Sequence, residues 1–458
     1  MYFLAIPIAM VAAIFLIQHP QLLLYALMLS IPWSVEFNFT PTLGTDLPDE
    51  PLMLLGALSV AVFLLYQRQN ISIRKLHPLV IIISLQFLWA VITVVTSTDQ
   101  ILSLKYLLAK GWYLFAFVAL PTVLFRDEKI LKRSFVFLLC SMMVAMATAL
   151  IRYASYGFHF SKVNDALEPF FRNHVNYSAL LVFMVPILVA IIKLYSPGKI
   201  RIFLGFVLVV TFAAVYFSYA RGAWMALVAG IIAYWLIRKR LLVFGLLFFM
   251  AITLAAIFFL KSNDRYLNFS NDYKSTIYHR NFSEHLIATY QLKDLSNAER
   301  LYRWVAGVRM VKDNWQTGFG PSTFFYQYKG YALPAFKTYV SDNREQSTVH
   351  NYFLLMLIEQ GVLGCALFVL LIAALLWYCQ KIYLRTKDKF WQATIAAVAS
   401  VLIMQCVINF LSDMIETDKV GSVFYLCVAV IIVADYRTQK QTSNPSTNIE
   451  GISQSISQ

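Results

Sequence analysis

One histidine, placed where polar loop gives way to apolar sequence, and three arginines have a chemistry that suits a phosphorylated substrate. His350 opens the run His350-Asn351 that continues through apolar residues to Glu359. A neutral imidazole at such a boundary can take the proton from a hydroxyl as it attacks, or it can act as a polar cap at a membrane interface. Arg221 lies in Ser218-Tyr219-Ala220-Arg221-Gly222-Ala223-Trp224, a link between apolar spans too short to rise above lipid headgroups. Its guanidinium can fork onto a phosphate or snorkel to the headgroups. Arg300, Arg303 and Trp304 share a helix face by their i, i+3, i+4 spacing. That face can bind a ligand or simply pack against its surroundings.

Other groups carry less information. Lys105 and Lys110 flank the start of an apolar span but, five apart, occupy different faces; they read as interfacial anchors or as support for an anion. Arg172-Asn173-His174 precedes another span and can meet a sugar or phosphate, or remain a loop without a ligand. Gly318-Phe319-Gly320-Pro321 permits a close approach of backbone to a ligand. Asp413, Glu416 and Asp418 form an acidic group open to a divalent cation or to plain solvation.

The elements that must position these residues are membrane helices. With 59% hydrophobic and 14% charged residues, the chain is expected to be an all-α, polytopic integral membrane protein. Apolar runs near 2–17, 20–34, 52–66, 78–97, 106–125, 134–151, 177–195, 203–219, 222–237, 241–260, 362–379, 391–411 and 421–435 predict 12 or 13 transmembrane helices. The first two are short and joined through Gln18-His19-Pro20. The start of the chain lacks the basic region and cleavage site of a signal peptide. The five cysteines all fall in apolar segments, which suggests packing thiols and neither a disulfide framework nor a zinc site.

Charge sets the orientation. Links near 67–77, 126–133, 193–201, 238–240 and 380–390 hold 17 lysines and arginines, and the alternate short links hold 7. The positive-inside rule puts the first set in the cytoplasm and the long polar insertion 261–349 outside. The net charge of +14 thus reports topology, and nucleic acid is not an expected partner. The organisation expected is N-terminal helices over 1–260, a largely helical periplasmic loop over 261–349, C-terminal helices over 350–435 and a disordered cytoplasmic tail over 436–458. Within the loop, Ser296 and Glu299 have capping-box spacing, and Leu301, Trp304, Val308 and Val311 recur along one helical face until Gly318, Gly320 and Pro321 end the helix.

Three passages carry a resemblance: Ser218 to Trp224; Glu299-Arg300 with Trp304 running into Gly318-Phe319-Gly320-Pro321; and His350-Asn351 continuing to Gly361-Val362-Leu363-Gly364. In order and spacing they resemble the O-antigen ligase superfamily of polytopic bacterial glycosyltransferases, over roughly residues 170 to 435. The resemblance implies transfer of a glycan from undecaprenyl pyrophosphate to an acceptor hydroxyl at the periplasmic face of the inner membrane, with inversion and without a metal. It implies that Arg221 and Arg300 grip the pyrophosphate and that His350 is the general base. Arg303, Lys110, His174 and Asn351 are supporting candidates. The leading expectation is an O-antigen ligase acting on lipid A-core, with membrane lipids around it. Rivals are an O-antigen or exopolysaccharide polymerase, a protein O-oligosaccharyltransferase and, from another class, a lipid-linked sugar transporter. The absence of an internal repeat and the placement of ionisable residues at span ends weigh against the transporter.

Overall fold

The computed structural model describes residues 2–40, 43–66, 76–263, 265, 295–338, 341–343 and 346–443. It is all-α apart from one small hairpin, in which β1 (Val35–Thr40) pairs antiparallel with β2 (Leu43–Leu47). The helices are α1 (Tyr2–Gln18), α2 (Pro20–Ser30), α3 (Asp49–Tyr66), α4 (Pro78–Val95), α5 (Gln100–Leu124), α6 (Glu128–Ser155) and α7 (His174–Leu194). They continue with α8 (Lys199–Phe217), α9 (Arg221–Arg238), α10 (Leu242–Lys261), α11 (Leu295–Asp313), α12 (Tyr352–Arg385), α13 (Lys389–Leu411) and α14 (Asp418–Ser443). Every expected apolar run coincides with one of these.

Thirteen of the described helices thus coincide with the 12 or 13 spans expected, and most of them meet a stricter test of length and apolarity. Among the described residues, ten helices are long and apolar enough to cross a membrane, and α1 with α2 makes an eleventh only if their bent pair counts as one. Pro20, which lacks an N–H, opens α2 after a break of 113°. Helix α9 carries an arginine at each end of its 18 residues and is not among the ten. At the far end, α14 runs on to Ser443, past the expected end at 435; the rest of the expected tail, 444–458, lies outside the described residues. Most of the basic link 67–77 and much of the insertion also lie outside them.

Burial follows composition. The nearly uninterrupted apolar run Val423 to Ala434 of α14 has no polar face to offer solvent and occupies the centre of the bundle. Helices α7 and α13 flank it, two thirds buried, whereas α10 turns Phe244, Phe248 and Phe258 outward, as a lipid-facing helix does. Side-chain oxygens cap the helix starts: Asp99 takes the Leu102 N–H, Asn173 those of Val175 and Asn176, and Asp388 that of Phe390. At the end of the bundle opposite the insertion, Asp435 receives Lys381 at 3.3 Å and His77 at 3.4 Å.

Candidate active site

The site is built around a break in α12. Its 34 residues would extend about 51 Å as one helix, far beyond a hydrocarbon core of about 30 Å. Gly361, at φ +69° and ψ −172°, interrupts it and separates Tyr352–Gln360 from the part that spans. A broken helix within a membrane must find other donors for its carbonyls. The Gly-Phe-Gly-Pro turn supplies them: Phe319 N–H donates to Ile358 O at 2.9 Å and Gly320 N–H to Glu359 O at 3.0 Å. Trp89 Nε1 donates to Gln360 O at 2.8 Å, and Val362 N–H returns a bond to Trp315 O. The Glu359 carboxylate accepts from the N–H groups of Ser322 and Phe324.

This seat explains the glycines. Gly318 has φ +71°, and a Cβ there would fall 2.5 Å from the Glu359 carbonyl carbon; a Cβ at Gly361 would fall 2.1 Å from Gln316 O. The close approach expected to serve a ligand is thus an approach to α12 itself.

Arg300 and the start of α9 meet at the end of α13. Arg300 Nε donates to Leu411 O at 3.1 Å, where the helix presents unpaired carbonyls and the negative end of its dipole. The first turn of α9, which opens with Arg221, faces the same residue: a Cβ on Gly222 would lie 3.5 Å from Leu411 Cδ1. Tyr219, at φ +54°, makes the turn before α9 and donates its hydroxyl to Phe158 O. Arg303 is different. It is buried, pairs with Glu299 at 3.2 Å and donates to Thr348 O, so it holds the backbone just ahead of His350. Glu299 also accepts from Thr338 and Ser341; it has no capping-box role.

His350 stands at the edge of this cluster. Asn351 caps the following helix by accepting the Leu354 N–H at 3.0 Å, and His350, one residue earlier, takes a left-handed φ of +54°. Tyr352 N–H donates to Ser412 O, which brings the 412–417 link alongside. As a result His350 Nδ1 lies 3.8 Å from Asp413 Oδ1, with the imidazole about 31% exposed. Desolvation, then the charges of Arg303 and Arg300, push the imidazole down from 6.5 to about 3, so it is neutral and able to accept a proton. Burial is the main influence raising the Asp413 carboxyl, helped by Glu416 and opposed by Arg303 and the Thr348 hydroxyl.

The remaining candidates separate. Asp413, Glu416 and Asp418 go to three different partner sets: His350; Lys110, Tyr106 and Tyr352; and Ser34 with Lys419. They do not form one cation site, and among the described residues no group of acidic, histidine and cysteine side chains could hold a metal ion. Lys110 pairs with Glu416 at 3.2 Å with only 12% of its side chain exposed, which rules out the role of interfacial anchor. Asn351 is a helix cap. His174, the first residue of α7, bonds through Nδ1 to Asn164 Oδ1, apart from the contacts that define the cluster around His350. The sequence did not pair Asp413 with His350 or Glu299 with Arg303; it read Asp413 as one of an acidic group and Glu299 as half of a capping box.

Comparison with known proteins gives one positive result. Residues 206–369 match the family model for O-antigen ligase, and no curated protein matches the chain. The matched segment contains Arg221, Arg300, Arg303, the Gly-Phe-Gly-Pro turn, His350 and the break at Gly361. The segment that carries most of the site's residues is thus similar to O-antigen ligases, a family with activity of the ligase or polymerase type.

Proposed function

We propose that the chain transfers a glycan from undecaprenyl pyrophosphate to an acceptor hydroxyl at the periplasmic face of the inner membrane, as an O-antigen ligase with lipid A-core as acceptor. The observation that carries this reading is the convergence of Arg300, the start of α9 and His350 on the link Leu411–Asp413. The acceptor oxygen attacks the anomeric carbon and the bond from that carbon to the pyrophosphate breaks with inversion. The hydroxyl proton passes to His350, and the electron pair of the broken bond leaves with undecaprenyl pyrophosphate. Charge grows on the leaving diphosphate in the transition state, and fixed guanidinium groups of Arg221 and Arg300 stabilise it there more than in the ground state. Because Nδ1 of His350 is turned to Asp413, Nε2 is the nitrogen that takes the proton, and Asp413 steadies the imidazolium that forms.

The nearest alternative, a polymerase, differs only in its acceptor. The surface glycan of a strain lacking this protein separates the two. Accumulation of full-length lipid-linked polymer with none attached supports the ligase. Surface glycans carrying single repeat units would make the protein a polymerase.

A further inference from the structure

Beneath His350 lies a buried polar cluster that the proposed chemistry does not use. Lys110 sits about 15 Å along α5 from its first residue. Its Nζ meets Glu416 Oε1 at 3.2 Å and lies 5.4 Å from the centres of the Tyr106 and Tyr425 rings. The same Glu416 oxygen accepts from Tyr106 at 3.2 Å and from Tyr352 at 2.5 Å. An ion pair at this depth costs desolvation, and replacing both charges with apolar or neutral groups is often no worse for stability. Its presence therefore asks for a role.

The geometry supplies one. Tyr352 is fixed at two points on the 412–417 link: its N–H donates to Ser412 O at 3.1 Å and its hydroxyl to Glu416. Glu416 N–H in turn donates to Asp413 O at 3.2 Å. Asp413 lies between those two anchors, and His350 is two residues before Tyr352. Whatever holds Glu416 in place thus sets the position of Asp413 against the imidazole.

We propose that Lys110 and Glu416 are a positioning pair: the buried ammonium fixes the Glu416 carboxylate, and Glu416, through Tyr352 and the 412–417 link, fixes the separation of His350 and Asp413. This rests on the transfer reading above. Neither residue touches substrate. A salt bridge of this kind acts through geometry, and misplacement of a base by about 1 Å can cost about a hundredfold in rate.

The test uses full-length purified protein carrying Lys110→Met, Lys110→Arg or the pair Lys110→Met/Glu416→Gln. Two readouts are taken: transfer from a polyprenyl-pyrophosphate glycan, and the rate at which diethyl pyrocarbonate modifies His350, followed by mass spectrometry. Lys110→Met should lower kcat about a hundredfold while donor KM stays within about twofold. It should also change the His350 modification rate. The neutral pair, which leaves no charge uncompensated, should bring both readouts most of the way back, and Lys110→Arg should stay near the parent. A rise in donor KM with kcat kept would make Lys110 a donor-binding residue and overturn the proposal. So would a double variant no better than Lys110→Met. If the parent itself transfers nothing, the transfer reading fails, and the His350 modification rates still decide whether the pair positions the histidine.

Discussion

His350 Nδ1 and Asp413 Oδ1 are 3.8 Å apart, too far for a hydrogen bond in this state and close enough for one to form when the imidazole gains a proton. The pair is therefore set up for the product of proton transfer. Asp413→Asn keeps the shape and removes the charge that would meet the imidazolium. It should reduce kcat at least about tenfold, with donor binding unchanged. A loss below about twofold in a steady-state assay would leave Asp413 without a part in proton transfer.

The pH dependence follows from the same surroundings. In the free protein the imidazole is pushed down to about 3, first by desolvation and then by Arg303 and Arg300. It loses its function only on protonation, so kcat/KM for the donor should hold level down to about pH 4 and fall to half near the imidazole's own pKa of about 3. A bound pyrophosphate offsets the arginine charges and lets the imidazole pKa rise towards its ordinary value near 6.5. The acid limb of kcat, which reports the complex, should accordingly lie at higher pH than that of kcat/KM. Coincident limbs would mean that the donor does not bind at these arginines.

Arginine geometry is open to a conservative test. Arg221→Lys and Arg300→Lys retain the charge but lose the planar fork that holds two phosphate oxygens, and Arg300 also loses its directed bond from Nε to Leu411 O. Each should lose at least about tenfold in kcat/KM while still inserting in the membrane. Because the guanidinium groups supply the positive charge, activity should persist in a chelator. Lysine variants as active as the parent, or loss in chelator restored by a divalent ion, would contradict the pyrophosphate grip.

The break in α12 makes a stability prediction. Gly361→Ala brings a Cβ to 2.1 Å from Gln316 O at a φ of +69°, a contact that flexible side chains cannot relieve. It should destabilise the protein by on the order of 3 kcal/mol or more. Gly205→Ala, where nothing lies within 4 Å of the added Cβ, is the control. Equal thermal melting temperatures for the two variants in detergent would show that the turn and the broken helix are not locked together as described.

Much of this architecture was legible in the sequence, because apolar length and the distribution of lysine and arginine report directly on membrane helices. All the apolar runs became helices, and Arg300 and His350 lie close together at one end of the bundle. The partners were not legible. Asp413 meets His350, and Glu416 meets Lys110, only because the link between α13 and α14 lies against both the start of α12 and α5, and no local periodicity encodes such a contact. The Gly-Phe-Gly-Pro turn shows the same limit. Its glycines signalled a close approach but not what is approached, since the break at Gly361 depends on donors from a distant segment.

The central claim is that His350 moves the proton while the arginines hold the donor. The most direct measurement assays donor binding and glycan transfer separately in purified His350→Ala. General-base assistance is worth about a hundred- to ten-thousandfold, so transfer should fall by that factor while the donor Kd stays near the parent's. Loss of donor binding along with transfer, or a fall of only a few-fold, would contradict the account and leave His350 a structural residue at the mouth of the site.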